Sequence, residues 1–373
     1  MLILSPPSLC QDSPATCFIK RRDTAQPRTS ENQPAMQPSA LLGFASFAAA
    51  AAAAASAPAP YMGGDTSGCG KTHLFNAFPK IRSLKSGGQD RGYLAHVPDG
   101  YDKNHRYPVI VGFHGSSSVG FFFEADTGLD LPKYTSDKIM VYPNGLGGAW
   151  AGANYSVAGV DQDLQFVWDL LADVRSNFCV DSARIYATGM SSGGGFVDTI
   201  ACNATVGGEF AAFAPASGSF YTNNDENHQN CKPARVPTPV LEFHGGADES
   251  VRYNGGQGEG GIEPSIPNWL KRWADRNQCD TPNKQEDLYD GDVHHLSWTC
   301  KGQEGVLQHY KTDDQKHDWA SPWPNFSQLA ALDKPTHLEA SALIQEFFMR
   351  FMRPAEACKV NCRTSGWPVD TLK

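Results

Sequence analysis

The sequence predicts an α/β protein, with a mostly parallel central sheet covered by helices on both faces. Short, almost wholly apolar runs such as "YPVIVGF" and "KIMVYP" recur along the chain, each stopped by Gly, Pro or Asn. Between them lie longer stretches with apolar residues at helical spacing. Strands that are apolar without alternation are buried on both sides, which marks a parallel sheet rather than a half-solvated antiparallel one.

In chain order, "RGYLAHVPDGY", "YPVIVGFHG" and "KIMVYPNG" read as the first three strands. "DLQFVWDLLADVRSNF" is a helix with Leu164, Val167, Trp168, Leu171 and Val174 on one stripe. "ARIYATGM" is the next strand, and "GGGFVDTIAC" begins the helix after it. "EFAAFAPASG" and "TPVLEFHGGAD" repeat the strand pattern, and "SIPNWLKRWADRN" is helical with Ile266, Leu270 and Trp273 on one side. "VLQHYKTDD" gives a late strand, and "THLEASALIQEFFMRFM" a closing amphipathic helix.

The 373 residues are 40% hydrophobic and 19% charged, a composition that supports a substantial core. A net charge of -9 excludes the electrostatic footprint of a nucleic-acid binder. Residues 1–35 show no apolar periodicity and read as a disordered extension absent from the mature protein. Residues 36–60 carry an apolar run from Leu41 to Ala55 followed by small residues and Pro58, the form of a secretory signal with its cleavage site. That run is too short and too alanine-rich to span a membrane, so a secreted, extracellular product is expected, with no membrane attachment after processing. Residues 61–353 form one catalytic-size domain, and 354–373 a cysteine-containing tail.

Eight cysteines follow the signal-like segment without zinc-ligand spacing, which suggests four disulfides. Cys279–Cys300 is the one pairing expected, because each follows an element end around a polar excursion. Sequons at Asn154, Asn203 and Asn325 fit a glycoprotein of the same compartment.

"YATGMSSGGGF" places two serines and four glycines between an apolar strand and a helix start. No Lys follows the glycines as a phosphate loop requires, and the dinucleotide fingerprint is not matched. Gly189-Met190-Ser191-Ser192-Gly193 fits G-x-S-x-G, the strained strand-to-helix turn of the α/β-hydrolase fold that exposes its central serine. Bulk at Gly189 or Gly193 would clash there. The Ser192 N–H, at the positive end of the new helix, can stabilise an oxyanion.

This fold orders its triad Ser, then Asp or Glu, then His. Asp248 lies in the loop that ends "VLEFHGGADES", with Glu249 its solvated neighbour. Of the downstream histidines, His309 sits inside a strand in a half-buried structural role, and His294, His295 and His337 are less well placed. His317 falls in the loop after the last strand and before the last helix, where the base belongs. The second oxyanion donor is expected from "VGFHGSSSVG", with Ser116 as the donor and His114 bracing the turn. Phe121, Phe122, Phe123, Trp150, Trp319 and Trp323 are candidate stacking residues for sugar or phenol rings, or else core anchors. The expected chemistry is ester cleavage through an acyl-enzyme, with no metal or organic cofactor.

Over roughly residues 68–350 the chain resembles the secreted fungal feruloyl esterases and related carbohydrate esterases of family one. The match rests on "GCGK", "VPDGYDKNHRYPVIVGFHG", "VYPNG", "CVDSARIYATGMSSGGGF", "FAPASG", "PVLEFHGGADESVRYNGG" and "HDW". The resemblance implies hydrolysis of hydroxycinnamoyl esters of plant cell-wall arabinoxylan or of small phenolic esters, without a protein partner. Ser191 would be the nucleophile, His317 the base and Asp248 its orienter. An acetyl xylan esterase or a polyester depolymerase-like esterase is the alternative. A serine peptidase would commonly add a cap or propeller domain, and a non-catalytic wall-binding protein would need a decayed elbow.

Overall fold

A computed structural model describes residues 67–354, except 75, 77, 222–229 and 281–283. The N-terminal extension, the signal-like segment, and Cys358 and Cys362 of the tail lie outside the described residues.

Among the described residues, the strands are β1 (Lys80–Ser86), β2 (Gln89–His96), β3 (Tyr107–Phe113), β4 (Ile139–Pro143), β5 (Val180–Met190), β6 (Ala212–Ala216), β7 (Val240–Gly245), β8 (Gly256–Gly258), β9 (Gly261–Glu263), β10 (Lys284–Leu288), β11 (Val293–Cys300) and β12 (Gln303–Thr312). Ten of them make one sheet in the order β1-β2-β4-β3-β5-β6-β7-β12-β11-β10, and β8 and β9 form a separate hairpin. The six strands from β4 to β12 pair in parallel, and both edges are antiparallel. This is the α/β-hydrolase architecture that the sequence predicts.

The main helices are α1 (Gly120–Thr127), α2 (Val160–Asn177), α3 (Ser192–Ala201), α4 (Ile266–Asn277) and α5 (Ala340–Met349). On one face, Val109, Val111 and Phe113 of β3 meet Phe166, Val167 and Leu170 of α2, Phe196 and Val197 of α3, and Trp269 and Trp273 of α4. On the other, Ile110 packs with Phe123 of α1 and with Ile344 and Phe347 of α5. Successive strand residues therefore feed opposite cores, as the pleat dictates, and both need apolar side chains. The buried stripe of α2 is centred differently from expectation: Phe166 and Leu170 are buried, whereas Trp168 is half-buried.

Strands β1, β10 and β11 and helix α1 carry no clear sequence signal. In β1, "KIRSLKS" mixes charged, polar and apolar residues at an antiparallel edge. "KQEDL" of β10 is polar and mostly exposed, so its pairing with β11 leaves no apolar run to read.

Among the described residues three disulfides are formed: Cys69–Cys179, Cys202–Cys231 and the expected Cys279–Cys300. Cys179 precedes β5, Cys202 ends α3, and Cys300 closes β11, which runs antiparallel to β12. All three bonds thus lie toward the N-terminal edge of the parallel strands. No helix among the described residues is long and apolar enough to cross a membrane.

Candidate active site

The loops at the opposite, C-terminal edge of the sheet bring the candidate residues together. Ser191 follows β5 directly and is the N-cap of α3, with φ 57° and ψ −123°. For a residue with a Cβ this is a strained conformation, and the surrounding hydrogen bonds hold it. Its N–H donates to Ala216 O at 3.0 Å, and its carbonyl accepts from Gly195 N at 2.9 Å and Ser219 N at 3.0 Å. The glycines exist because backbones cross at contact distance. A Cβ on Gly193 would stand 2.1 Å from Phe113 O, and one on Gly189 would stand 2.7 Å from Gly193 O.

Asp248 lies three residues beyond β7, with its side chain fully buried. Its Oδ1 accepts from the Ser250 and Val251 N–H groups at 2.9 and 2.8 Å, which leaves Oδ2 for His317 Nδ1 at 2.7 Å. With Nδ1–H committed to a carboxylate, Nε2 is the free basic nitrogen of His317. The loop that carries His317 is fixed at both ends: Ala247 N donates to Gln315 O, and Trp319 N to Ser327 Oγ. Ser191 and His317 line one cavity of about 420 Å³. Glu249 lines a neighbouring cavity with His317, outside the hydrogen bonds that hold Asp248.

Gly115 approaches Ser191 so closely that an added Cβ would be 3.3 Å from the serine Cβ. Ser116, next in the chain, lines the same cavity and bonds its hydroxyl to Tyr155 OH at 2.7 Å. Ser192 is the first residue of α3, whose leading N–H groups have no acceptor within the helix. His114 is wholly buried and braces the turn: Nδ1–H donates to Gly115 O at 2.7 Å, and Nε2 accepts from Gly145 N at 2.9 Å. Burial pushes its imidazole down to about 4, so it stays neutral.

The aromatic candidates divide. Phe122 and Phe123 line the cavity. Phe121 does not, and is 56% exposed with its ring edge-on to Phe122. Trp150 and Trp319 are core residues and present no face to a substrate. Trp150 stacks on Phe166 and Phe196, and Trp319 meets Phe123 edge-on and donates to Ser341 Oγ. Trp323 is 65% exposed and outside the cavity lining. Apolar bulk in a quoted motif does not distinguish a wall from a core. The cavity also recruits Tyr155, and with it Tyr221 and Phe326, which the sequence reading missed.

Also missed is a buried network behind Asp248. Glu242 and His244, two apart in β7, point to one side; Glu242 Oε1 takes His244 Nδ1 at 2.8 Å, and Oε2 takes His309 Nδ1 at 2.6 Å. His309 is therefore fully buried rather than half-buried. His244 Nε2 meets Val251 O at 2.8 Å and lies 3.7 Å from Asp248 Oδ2. Both nitrogens of His244 face acceptors, so the ring carries two protons. Polar residues at a period of two inside an apolar strand were the available signal.

Burial alone would depress His244, but the Glu242 carboxylate, with Asp248, outweighs it and raises the group to about 8. Glu263, pushed up to about 7 by burial, is the other acid near it. A raised folded-state value gives stability that is complete below the ordinary value of about 6.5 and lost as pH rises through about 8. The unfolding free-energy gap between wild type and His244→Gln should therefore shrink by on the order of 2 kcal/mol from pH 6 to pH 9. Urea unfolding across that range checks it, and a pH-independent gap contradicts a charged His244.

No family model matches the chain. Among curated proteins it is similar to the probable feruloyl esterase C of Aspergillus niger, 30% identical over 206 residues, covering 52% of this chain and 70% of that protein. Feruloyl esterase C of Emericella nidulans is 30% identical over 205 residues, covering 53% and 67%. Feruloyl esterase B of Piromyces equi is 28% identical over 228 residues, 57% of this chain but 40% of that protein. Among solved structures, an acetyl xylan esterase from Aspergillus awamori superposes with a TM-score of 0.52 at 16% identity, over 72% of this chain and 99% of that one, a likeness of fold.

Proposed function

Because this chain belongs to the feruloyl esterase family, we propose that it is a secreted serine esterase cleaving hydroxycinnamoyl esters of plant cell-wall polysaccharide. The observation that carries this reading is the shared cavity, where Ser191 and His317 meet Phe122, Phe123, Tyr155 and Phe326. Such walls suit a flat phenolic acyl group next to a nucleophile.

In the proposed mechanism, His317 Nε2 takes the Ser191 proton as the hydroxyl attacks the ester carbonyl. Asp248 holds the imidazole in the required tautomer and stabilises it once charged. The tetrahedral oxyanion is held by the N–H groups of Ser192 and Ser116, and loss of one such donor costs about 10²–10³ in turnover. The protonated His317 gives its proton to the departing sugar alcohol. Water, deprotonated by the same nitrogen, then releases the acid from Ser191.

Acetate would fill little of this cavity and would forfeit most of the binding that an aromatic acyl group gains. The specificity constant for methyl ferulate or methyl caffeate should exceed that for acetylated xylan at least tenfold on one preparation. Differences among hydroxycinnamates should be modest, since one methylene in an apolar pocket is worth about 1–3 kcal/mol. The reverse ranking would make the protein an acetyl xylan esterase with the same triad. Failure of a fluorophosphonate to label Ser191 would overturn the serine mechanism itself.

A further inference from the structure

We propose that His96, Glu124 and Asp130 form a binding site for a divalent transition-metal ion of the zinc class. None of the three lines the Ser191 cavity. His96 ends β2, Glu124 lies on α1, and Asp130 follows two residues after the glycine that caps that helix. One ligand atom from each falls within 4.8 Å of the others. His96 Nε2 contacts Glu124 Oε1 directly and stands 4.0 Å from Asp130 Oδ2.

The contact between His96 and Glu124 leaves the group unfinished. Glu124 is only 8% exposed, and its second oxygen, Oε2, is buried without a hydrogen-bond partner. Tyr142 borders the same group. It pairs with Leu94 across β4 and β2, so it shares a sheet face with His96, two residues further along. It is wholly buried, with Thr127 and the Asp130 backbone beside its hydroxyl. Two carboxylates thus converge on one imidazole nitrogen, which supplies at most one proton. A bound cation offsets both carboxylates and gives the second oxygen of Glu124 a partner.

The donor set selects the ion. One imidazole nitrogen with two carboxylate oxygens suits zinc, at about 2.0–2.2 Å to each, with a fourth position for water or the Tyr142 oxygen. Calcium and magnesium take oxygen ligands and do not favour imidazole. The partly exposed side chains of His96 and Asp130 give an entry path. An ion here would clasp the end of β2 to α1, the helix that supplies Phe122 and Phe123 to the cavity.

The test uses the full chain, stripped with chelator, incubated with zinc chloride, desalted, and read by metal analysis and thermal unfolding. Wild type and His317→Ala should each retain about one zinc, and zinc should raise their unfolding midpoint by several degrees. Glu124→Gln should lose both the zinc and the shift, as should Asp130→Asn, whose more exposed side chain makes it the safer variant for folding. No retained zinc in wild type, or equal retention in Asp130→Asn, would overturn the site. Neither readout depends on esterase activity, so the proposal and the reading of the cavity stand or fall separately.

Discussion

Ser191→Ala should unfold at the wild-type temperature and lose about 10⁴–10⁶ in turnover on any ester the protein cleaves. The strained turn is held by backbone bonds from Ser191 to Ala216, Gly195 and Ser219, and none of them needs the hydroxyl. Removing one oxygen at a cavity surface leaves no buried void. The chemistry has no substitute, because the other cavity hydroxyls are not placed at an elbow beside a helix N-terminus. His317→Ala should cost a similar factor, and the double variant should be no slower than either single one, since members of a triad act as a unit. Rates on methyl ferulate for the three variants decide the matter: losses that multiply would sink the assignment of Ser191 and His317 to one machine.

Gly193→Ala should be severely damaging, costing more than about 4 kcal/mol or abolishing soluble protein. The new Cβ would lie 2.1 Å from Phe113 O and 2.5 Å from His114 O, both backbone atoms at the end of β3. No side-chain rotation relieves that contact, so α3 and the β3 loop must separate. Protein that does fold should also turn over slowly, because the displaced loop carries Gly115 and Ser116. Gly159→Ala is the matched control: its Cβ meets nothing within 4 Å, and its φ is −77°. A helix-cap glycine exchanged for Ala costs about 1 kcal/mol or less. Equal urea midpoints for the two variants would refute the steric argument.

The legible parts of this protein are those where one physical demand dominates. Strands β3, β4 and β6 are buried on both faces, so their sequences are apolar from end to end and stand out. Ser191 was legible because a strained turn between crossing backbones admits few residue types. Asp248 and His317 followed from the strand ends that precede them. The edge strands were hidden because β1 and β10 satisfy their backbones without a continuous apolar run. Part of the cavity wall was hidden for a different reason: Tyr221 and Phe326 come from distant segments, and only the folded chain puts them next to Phe122. Trp150 and Trp319 misled because an aromatic beside a motif looks the same whether it faces ligand or core. Glu242 and His244 were in plain view within "VLEFHGG", where an apolar strand has no other reason to carry them.

The placement of the three disulfides has a consequence for how the protein fails and recovers. All are fastened toward the edge of the sheet away from Ser191, and Cys69–Cys179 closes a span of 110 residues. A cross-link over about 100 residues removes several kcal/mol of chain entropy from the denatured state. The loops that bear Ser116, Asp248 and His317 have no such fastening, and hydrogen bonds and packing hold them. Damage by heat or denaturant therefore begins at the working edge, while the stapled base keeps the strands in register. Inactivation precedes collapse of the frame, and a chain that cools in time needs to re-dock only its loops. In the secreted enzyme proposed above, beyond the reach of chaperones, that division converts most thermal insults into pauses.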